Sequence, residues 1–160
     1  MNIIIQTSIY TLNKSRTLLL ELSDMQLSNS SVLPYNSSIG SHLRHILDFY
    51  DCILVEGNSI DLTSRKRQIE IETNCDAALE YFKIIVKKLK NLDEATINGK
   101  VQVIDDLGLG KIEIGYTFSA LLAQANSHTI HHYAIINYIL DGLGISFKDN
   151  TFGYNPTTPR

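Results

Sequence analysis

All five histidines of the chain fall in two short stretches, and both stretches lie within helical patterns of apolar residues. His128, His131 and His132 form one group, and His42 and His45 form the other. Residues three and four apart share one face of an α-helix, so each group presents a stacked pair of imidazoles. Two imidazoles from one helix and a third from a facing helix can form a three-nitrogen metal site with positions open for water or substrate.

The alternative is that these are ordinary histidines, each satisfied by a hydrogen bond in the core or at the surface. The glutamate of an H-E-x-x-H motif is absent, because Thr129 stands in its place. That absence argues against the mechanism of a zinc protease. The presence of a second helical histidine pair favours a metal site over isolated core histidines.

Length and charge restrict the class of protein. A chain of 160 residues is long enough for one domain with a full core, which we place at residues 1–160. The net charge of −3 and the lack of a basic block do not favour a nucleic-acid or membrane partner. The N-terminus lacks the features of a signal peptide, and Cys52 and Cys75 have no C-x-x-C spacing. We therefore expect a cytoplasmic protein with reduced thiols.

Helical spacing of apolar residues predicts four long helices. Ser37 or Ser38 is a candidate N-cap for the second helix, Thr73 for the third and Thr117 for the fourth. The β-branched start of the first segment favours helix only after about Thr7. The four segments cover about 3–22, with helix expected from about Thr7, then 37–55, 73–92 and 117–140.

Between the third and fourth helices the period changes to polar and apolar alternation, over residues 96–106 and 111–114. Turn-forming residues around Gly108 and Gly110 separate the two runs, which predicts a short β-hairpin. The fold class expected from the sequence is therefore all-α, a four-helix bundle with a small β-hairpin inserted before the last helix. Earlier in the chain, the basic run at residues 65–67 either binds an anion or is an ordinary solvated charge run.

The chain resembles the DinB/YfiT-like superfamily in three stretches and in the spacing between the first two. These stretches are residues 38–47, residues 128–132 and the tail at residues 152–158. The resemblance covers nearly the whole chain. It implies a four-helix bundle, often dimeric, that holds a divalent metal with one histidine from the second helix and two from the last. Characterised relatives include transferases and isomerases that use low-molecular-weight thiols.

The resemblance also assigns the ligands. In the pattern S-x-G-x-x-x-x-H, Ser38 and Gly40 align so that the ligand falls on His45 rather than His42, while the last-helix pair falls on His128 and His132. From the residues alone, the choice between His42 and His45 stays open. Where the family commonly continues H-H-R-G-Q, this chain has tyrosine, alanine and isoleucine at 133–135, so contacts made by R-G-Q in relatives are not carried over.

These observations lead to a metal-dependent enzyme, with a thiol-dependent S-transferase as the first interpretation. The cation would lower the pKa of a bound water or thiol and so supply a nucleophile at neutral pH. Neutral imidazoles suit zinc or nickel, and also iron or copper. A small-molecule substrate, a low-molecular-weight thiol and a second copy of the chain are the expected partners. A metal-dependent hydrolase and a non-enzymatic, metal-stabilised helical module remain the alternatives.

Three further residues are candidates for catalysis, either orienting a ligand or transferring a proton: His42, His131 and Asp48. Asp48 follows His45 by about one helical turn, so its carboxylate could accept the second N–H of that imidazole. A solvated carboxylate is the alternative for Asp48.

Overall fold

A computed structural model describes residues 2–159, so the end residues of the predicted 1–160 domain, Met1 and Arg160, lie outside the described residues. Within residues 2–159 the chain forms six α-helices, a short 3₁₀ turn at Ile69–Glu72 and three β-strands. The helices are α1 (Ile3–Glu21), α2 (Asp24–Ser28), α3 (Ile39–Ile53), α4 (Cys75–Lys90), α5 (Glu94–Asn98) and α6 (Phe118–Gly142).

The two histidine-bearing helices begin at caps that the sequence predicts. The Ser38 side chain accepts a hydrogen bond from the Ser41 backbone N–H at 3.0 Å, which confirms Ser38 as the N-cap of α3. Thr117 caps α6 in the same way, accepting from the Ala120 N–H at 3.2 Å. Within residues 2–159, none of the helices combines the length and the apolar character that crossing a bilayer requires.

Two other helix starts differ from the prediction. Helix α1 begins at Ile3 rather than near Thr7, because the Asn2 side chain caps it by accepting from the Ile4 N–H. Asn74, rather than Thr73, caps α4, since its side-chain oxygen accepts from the Ala77 N–H at 2.8 Å. The predicted N-cap at Thr73 is therefore wrong by one residue.

The predicted all-α, four-helix-bundle fold is wrong, because the chain contains a three-stranded mixed sheet. The hairpin itself is confirmed: β2 (Lys100–Asp106) pairs antiparallel with β3 (Lys111–Thr117). Its predicted start is wrong, because residues 96–98 belong to helix α5. A further strand, β1 (Ser59–Asp61), lies parallel to β2 with Ile60 opposite Val103. Its three residues are too few for a readable alternation, and its partner lies about forty residues later in the chain.

The core lies between the four long helices and extends under the sheet. Helix α6 packs against α1 and α3, and α4 packs against the same two helices. Leu12, Leu43, Ile85 and Leu121, one from each long helix, are all fully buried. This packing turns one face of α3 towards α6 along the stretch where both helices carry histidines.

Candidate metal centre

The facing surfaces of α3 and α6 bring His45, His128 and His132 together. The Nε2 atom of His128 lies 2.8 Å from Nε2 of His45 and 3.2 Å from Nε2 of His132. Each histidine thus offers one nitrogen to a group whose donor atoms lie within 4.8 Å of one another. The structure brings together the three residues that were predicted as ligands.

The separations of these nitrogens fit a shared cation. Metal–imidazole bonds of about 2.0–2.1 Å, at angles of roughly 90° to 109°, place neighbouring nitrogens about 2.8 to 3.4 Å apart. The two separations from His128 Nε2, 2.8 and 3.2 Å, fall within that range. An all-nitrogen donor set of this kind suits zinc, nickel, iron or copper better than magnesium or calcium, which prefer oxygen ligands.

Burial keeps the three imidazoles neutral. Burial is the largest cause of the lowered pKa of each ring. The pKa falls to about 4 for His45 and to about 2 for His132. The Arg65 guanidinium adds to the effect at His45, and the other imidazoles add to it at His132. The pKa of His128 is lowered by burial and by His131. At neutral pH the lone pairs of all three rings are therefore available to a cation.

His42 contacts the group from outside. Its Nδ1 atom lies 2.8 Å from Nδ1 of His132, and its Nε2 atom lies 2.8 Å from the Ser37 hydroxyl. If Nε2 of His132 binds a cation, its Nδ1 carries the proton and donates to His42, which in turn donates to Ser37. His42 is thus placed to orient His132, while His45 belongs to the nitrogen group.

His131 and Asp48 lie away from the converging nitrogens. His131 is exposed, with its ring centroid 5.2 Å from that of His132, and its side chain forms no hydrogen bond with another residue in the range 2–159. The Asp48 carboxylate is buried; it accepts from Arg44 Nη1 at 2.7 Å and from the Tyr81 hydroxyl at 3.1 Å. Asp48 therefore fixes Arg44 rather than contacting an imidazole.

The pKa values of both groups in this ion pair are raised. Burial raises the pKa of Asp48 despite its two hydrogen-bond donors. Burial also acts to lower the pKa of Arg44, but hydrogen bonds to Glu72 and Asp48 outweigh it and raise that pKa. Because the guanidinium contacts two carboxylates at once, we take the pair as ionised at neutral pH.

Two residues beside the nitrogen group, Arg65 at His45 and Phe49 at His128, were not predicted to lie there. Arg65 Nη1 lies 3.4 Å from His45 Nδ1 and 3.5 Å from His45 Nε2. Phe49 stacks near His128 with ring centroids 5.1 Å apart. The spacing of Phe49, one turn after His45 on the same helix, was a usable signal. Arg65 lies in the basic run that was a candidate for anion binding, but nothing in the sequence predicted its approach to His45, because that position depends on the strand β1.

No family model, curated protein or solved structure matches the chain. The functional interpretation therefore depends on the residues and geometry of the site.

Proposed function

We propose that the chain is a divalent-metal-dependent enzyme whose cation is held by His45, His128 and His132. The observation that carries the proposal is the approach of His128 Nε2 to two other imidazole nitrogens, at 2.8 and 3.2 Å. A ring nitrogen has either one proton or one lone pair, so hydrogen bonding satisfies one such contact but not both. A shared cation accounts for all three nitrogens.

The cation proposed is zinc or nickel, with iron or copper as the other metals that neutral imidazoles suit. With three protein ligands, positions remain for a small molecule, and a bound metal lowers the pKa of water or of a thiol. The chain's own contribution is to orient the ligands. The contact of His42 with His132 and the hydrogen bond of His42 to Ser37 serve that purpose.

The reaction proposed is the transfer of a small-molecule thiol to an electrophile. The chain's own cysteines are poor nucleophiles, since burial raises the pKa of Cys75 to about 11 and also raises that of Cys52. The Cys52 thiol is further engaged with the Asp61 carbonyl oxygen at 3.3 Å. A nucleophilic thiol would therefore come from a cosubstrate, and the Arg65 cation beside His45 favours its anionic form.

The proposed relationship to the DinB/YfiT-like superfamily is supported by the roles of the matching residues. Ser38 caps the helix that carries His45. Gly40 allows the 3₁₀ turn to approach that helix, because a Cβ atom there would lie 2.1 Å from the Glu72 carbonyl oxygen. This close approach explains why the S-x-G pattern has glycine at position 40 in this chain.

A cytoplasmic homodimer is the assembly we propose. Support for a second copy comes from an apolar cavity of about 300 Å³ next to Ile135. Leu33, Tyr35 and Tyr138 line it and are each more than three-quarters exposed. Exposed apolar side chains in one patch commonly mark a contact surface. Sedimentation of the purified protein tests this part, and a monomer at all concentrations would contradict it.

The experiment that tests the reaction uses zinc-loaded and nickel-loaded protein with a panel of electrophiles, each with and without a low-molecular-weight thiol. We expect turnover that requires the thiol, is abolished by a chelator and is lost in His128→Ala. The matched control is Lys66→Gln, at an exposed position outside the site, which should retain activity. Turnover of esters without any thiol would contradict the transferase and support a hydrolase. Metal binding without turnover on any substrate would contradict an enzyme and support a structural metal.

A further inference from the structure

A cavity of about 240 Å³ adjoins the candidate metal centre at His45. Its lining is strongly polar and consists of Arg44, His45, Asp48, Thr63, Arg65 and Arg67. Arg44 is neutralised by its contacts with Asp48 and Glu72. Arg65 and Arg67 form no ion pair with any residue in the described range 2–159. The cavity therefore carries positive charge that the protein itself does not balance.

The segment that carries these arginines is held in place by the sheet. The Leu62 N–H donates to the Ile104 carbonyl oxygen at 2.9 Å, which extends the pairing of β1 with β2. The Asp61 carboxylate then accepts from the Thr63 N–H at 2.8 Å, and the Ser64 N–H donates to the Asp61 carbonyl at 3.2 Å. This turn directs the following residue, Arg65, to the side of His45.

Whether the contact between Arg65 and His45 has an acceptor depends on which nitrogen of His45 carries the proton. Arg65 Nη1 lies 3.4 Å from His45 Nδ1, and a guanidinium only donates hydrogen bonds. If His45 Nε2 held a cation, its Nδ1 would carry the proton and would be a donor as well. Two donors and two positive charges, the cation and the Arg65 guanidinium, would then face each other, which is unfavourable unless an anion lies between them. The Asp48 carboxylate accepts from Arg44 and Tyr81, and no hydrogen bond or ion pair joins it to Arg65 or His45 within residues 2–159.

We propose that this cavity binds an oxyanion group, a carboxylate or a phosphate, carried by the small-molecule substrate or cosubstrate. Arg65 is the principal anchor, and Arg67 supplies a second cation at the cavity wall. Guanidinium groups match both oxyanions with paired hydrogen bonds. An anion held there places the rest of the molecule next to His45, so the subsite selects negatively charged substrates for the proposed metal-dependent reaction. The placement of this subsite beside a reacting group rests on the proposed function. Anion binding by Arg65 and Arg67 does not require the metal.

The first test titrates inorganic phosphate into metal-free protein at low ionic strength, with binding measured by calorimetry. We expect Arg65→Gln to weaken binding by about tenfold or more, since it removes a charge-assisted hydrogen bond. The phosphate affinity of Arg65→Lys should lie between those of wild type and Arg65→Gln, because lysine keeps the charge but lacks the planar guanidinium. Lys66→Gln removes an equal charge one residue away and outside the cavity, so it should bind as wild type does. Equal binding by wild type and Arg65→Gln, or no binding by wild type, would overturn the proposal.

The second test asks whether the subsite lies beside the metal. Cobalt-loaded protein is titrated with thioglycolate and with 2-mercaptoethanol, a neutral thiol of similar size, and the visible absorption of cobalt reports binding. We expect wild type to prefer thioglycolate by about tenfold and Arg65→Gln to lose that preference at unchanged cobalt content. Equal affinity for the two thiols in wild type would overturn the placement. Failure to take up cobalt would instead contradict the metal site, and the phosphate titration would still decide the subsite.

Discussion

The Nδ1 atom of His42 lies 2.8 Å from the Nδ1 atom of His132, so a residue of α3 holds a candidate metal ligand of α6 in position. The same His42 ring reaches the Ser37 hydroxyl through its Nε2 atom, also at 2.8 Å. A partner of this kind fixes the tautomer and the orientation of the ligating ring. His42 is thereby distinguished from His45, although the two residues lie on one helix face.

Replacing His42 by alanine should weaken metal binding without abolishing it. Loss of such an orienting partner typically reduces metal affinity by about 10- to 100-fold. The measurement is a competition titration of zinc against a chromophoric chelator. His131→Ala is the matched control, because His131 lies next to His132 but is exposed and outside the nitrogen group, and its zinc affinity should equal that of wild type. An unchanged affinity in His42→Ala would contradict the orienting role.

Acid should destabilise the metal-free protein through His45 and His132. In the unfolded chain both have an ordinary pKa near 6.5, while in the folded protein the values fall to about 4 and about 2. Well above pH 6.5 neither state binds the protons, so the contribution of the neutral rings is complete. As the pH falls below 6.5 the unfolded chain gains protons first, and stability is lost down to about pH 4 for His45 and further for His132.

The check is thermal unfolding of metal-free wild type and His45→Gln between neutral pH and pH 4. The stability of wild type relative to the variant should fall as the pH falls through this window, because only wild type has the buried imidazole of residue 45. Comparing the two cancels the titration of the carboxylates. A relative stability that stays constant, or that rises in acid, would contradict the assignment of His45 as a buried neutral ring.

Replacing Asp48 by alanine should reduce stability and leave the metal ligands in place. The change leaves Arg44 without one of its two carboxylates and the Tyr81 hydroxyl without its acceptor. Breaking a buried ion pair from one side costs about 3 kcal/mol of the free energy of unfolding. Denaturant unfolding measures the loss, and Glu80→Ala serves as a control because its pair with Lys83 is exposed. Loss of bound metal with unchanged stability would show that Asp48 acts at the metal instead.

Gly40→Ala should destabilise the fold, because the added Cβ would meet the Glu72 carbonyl oxygen at 2.1 Å. Backbone atoms must shift to relieve this clash, which costs about 2 kcal/mol or more. Gly115→Ala is the matched control, since the nearest atom there lies 3.9 Å away at the end of a glutamine side chain. Equal thermal stability of the two variants would contradict the close packing of the 3₁₀ turn on α3.

Local patterns predicted the parts of the fold that are set by nearby residues. Ser38 and Thr117 cap helices by bonding to N–H groups three residues later, a relationship visible in the sequence. The early start of α1 was missed because the Asn2 cap outweighs the low helix propensity of the isoleucines that follow. The strand β1 was missed because its stability comes from pairing with β2, far away in the chain.

In the candidate site too, features set by nearby residues could be predicted from the sequence, and features set by packing between distant elements could not. Helical spacing showed that His42 and His45 share a face, and that His128 and His132 share another. Which histidine of α3 meets the nitrogen group depends on how α3 is rotated against α6, and packing of the whole core sets that rotation. Arg65 reaches His45 only because β1 pairs with β2, so its role could not be read from the basic run in the sequence.

The most direct test of the metal centre is the metal content of purified wild type and His128→Ala, measured by elemental analysis alongside X-ray absorption spectroscopy. We predict about one divalent cation per wild-type chain, with three imidazole nitrogens at about 2.0–2.1 Å, and loss of that cation in His128→Ala. Equal and near-zero metal in both proteins, after each has been offered zinc and nickel, would contradict the account.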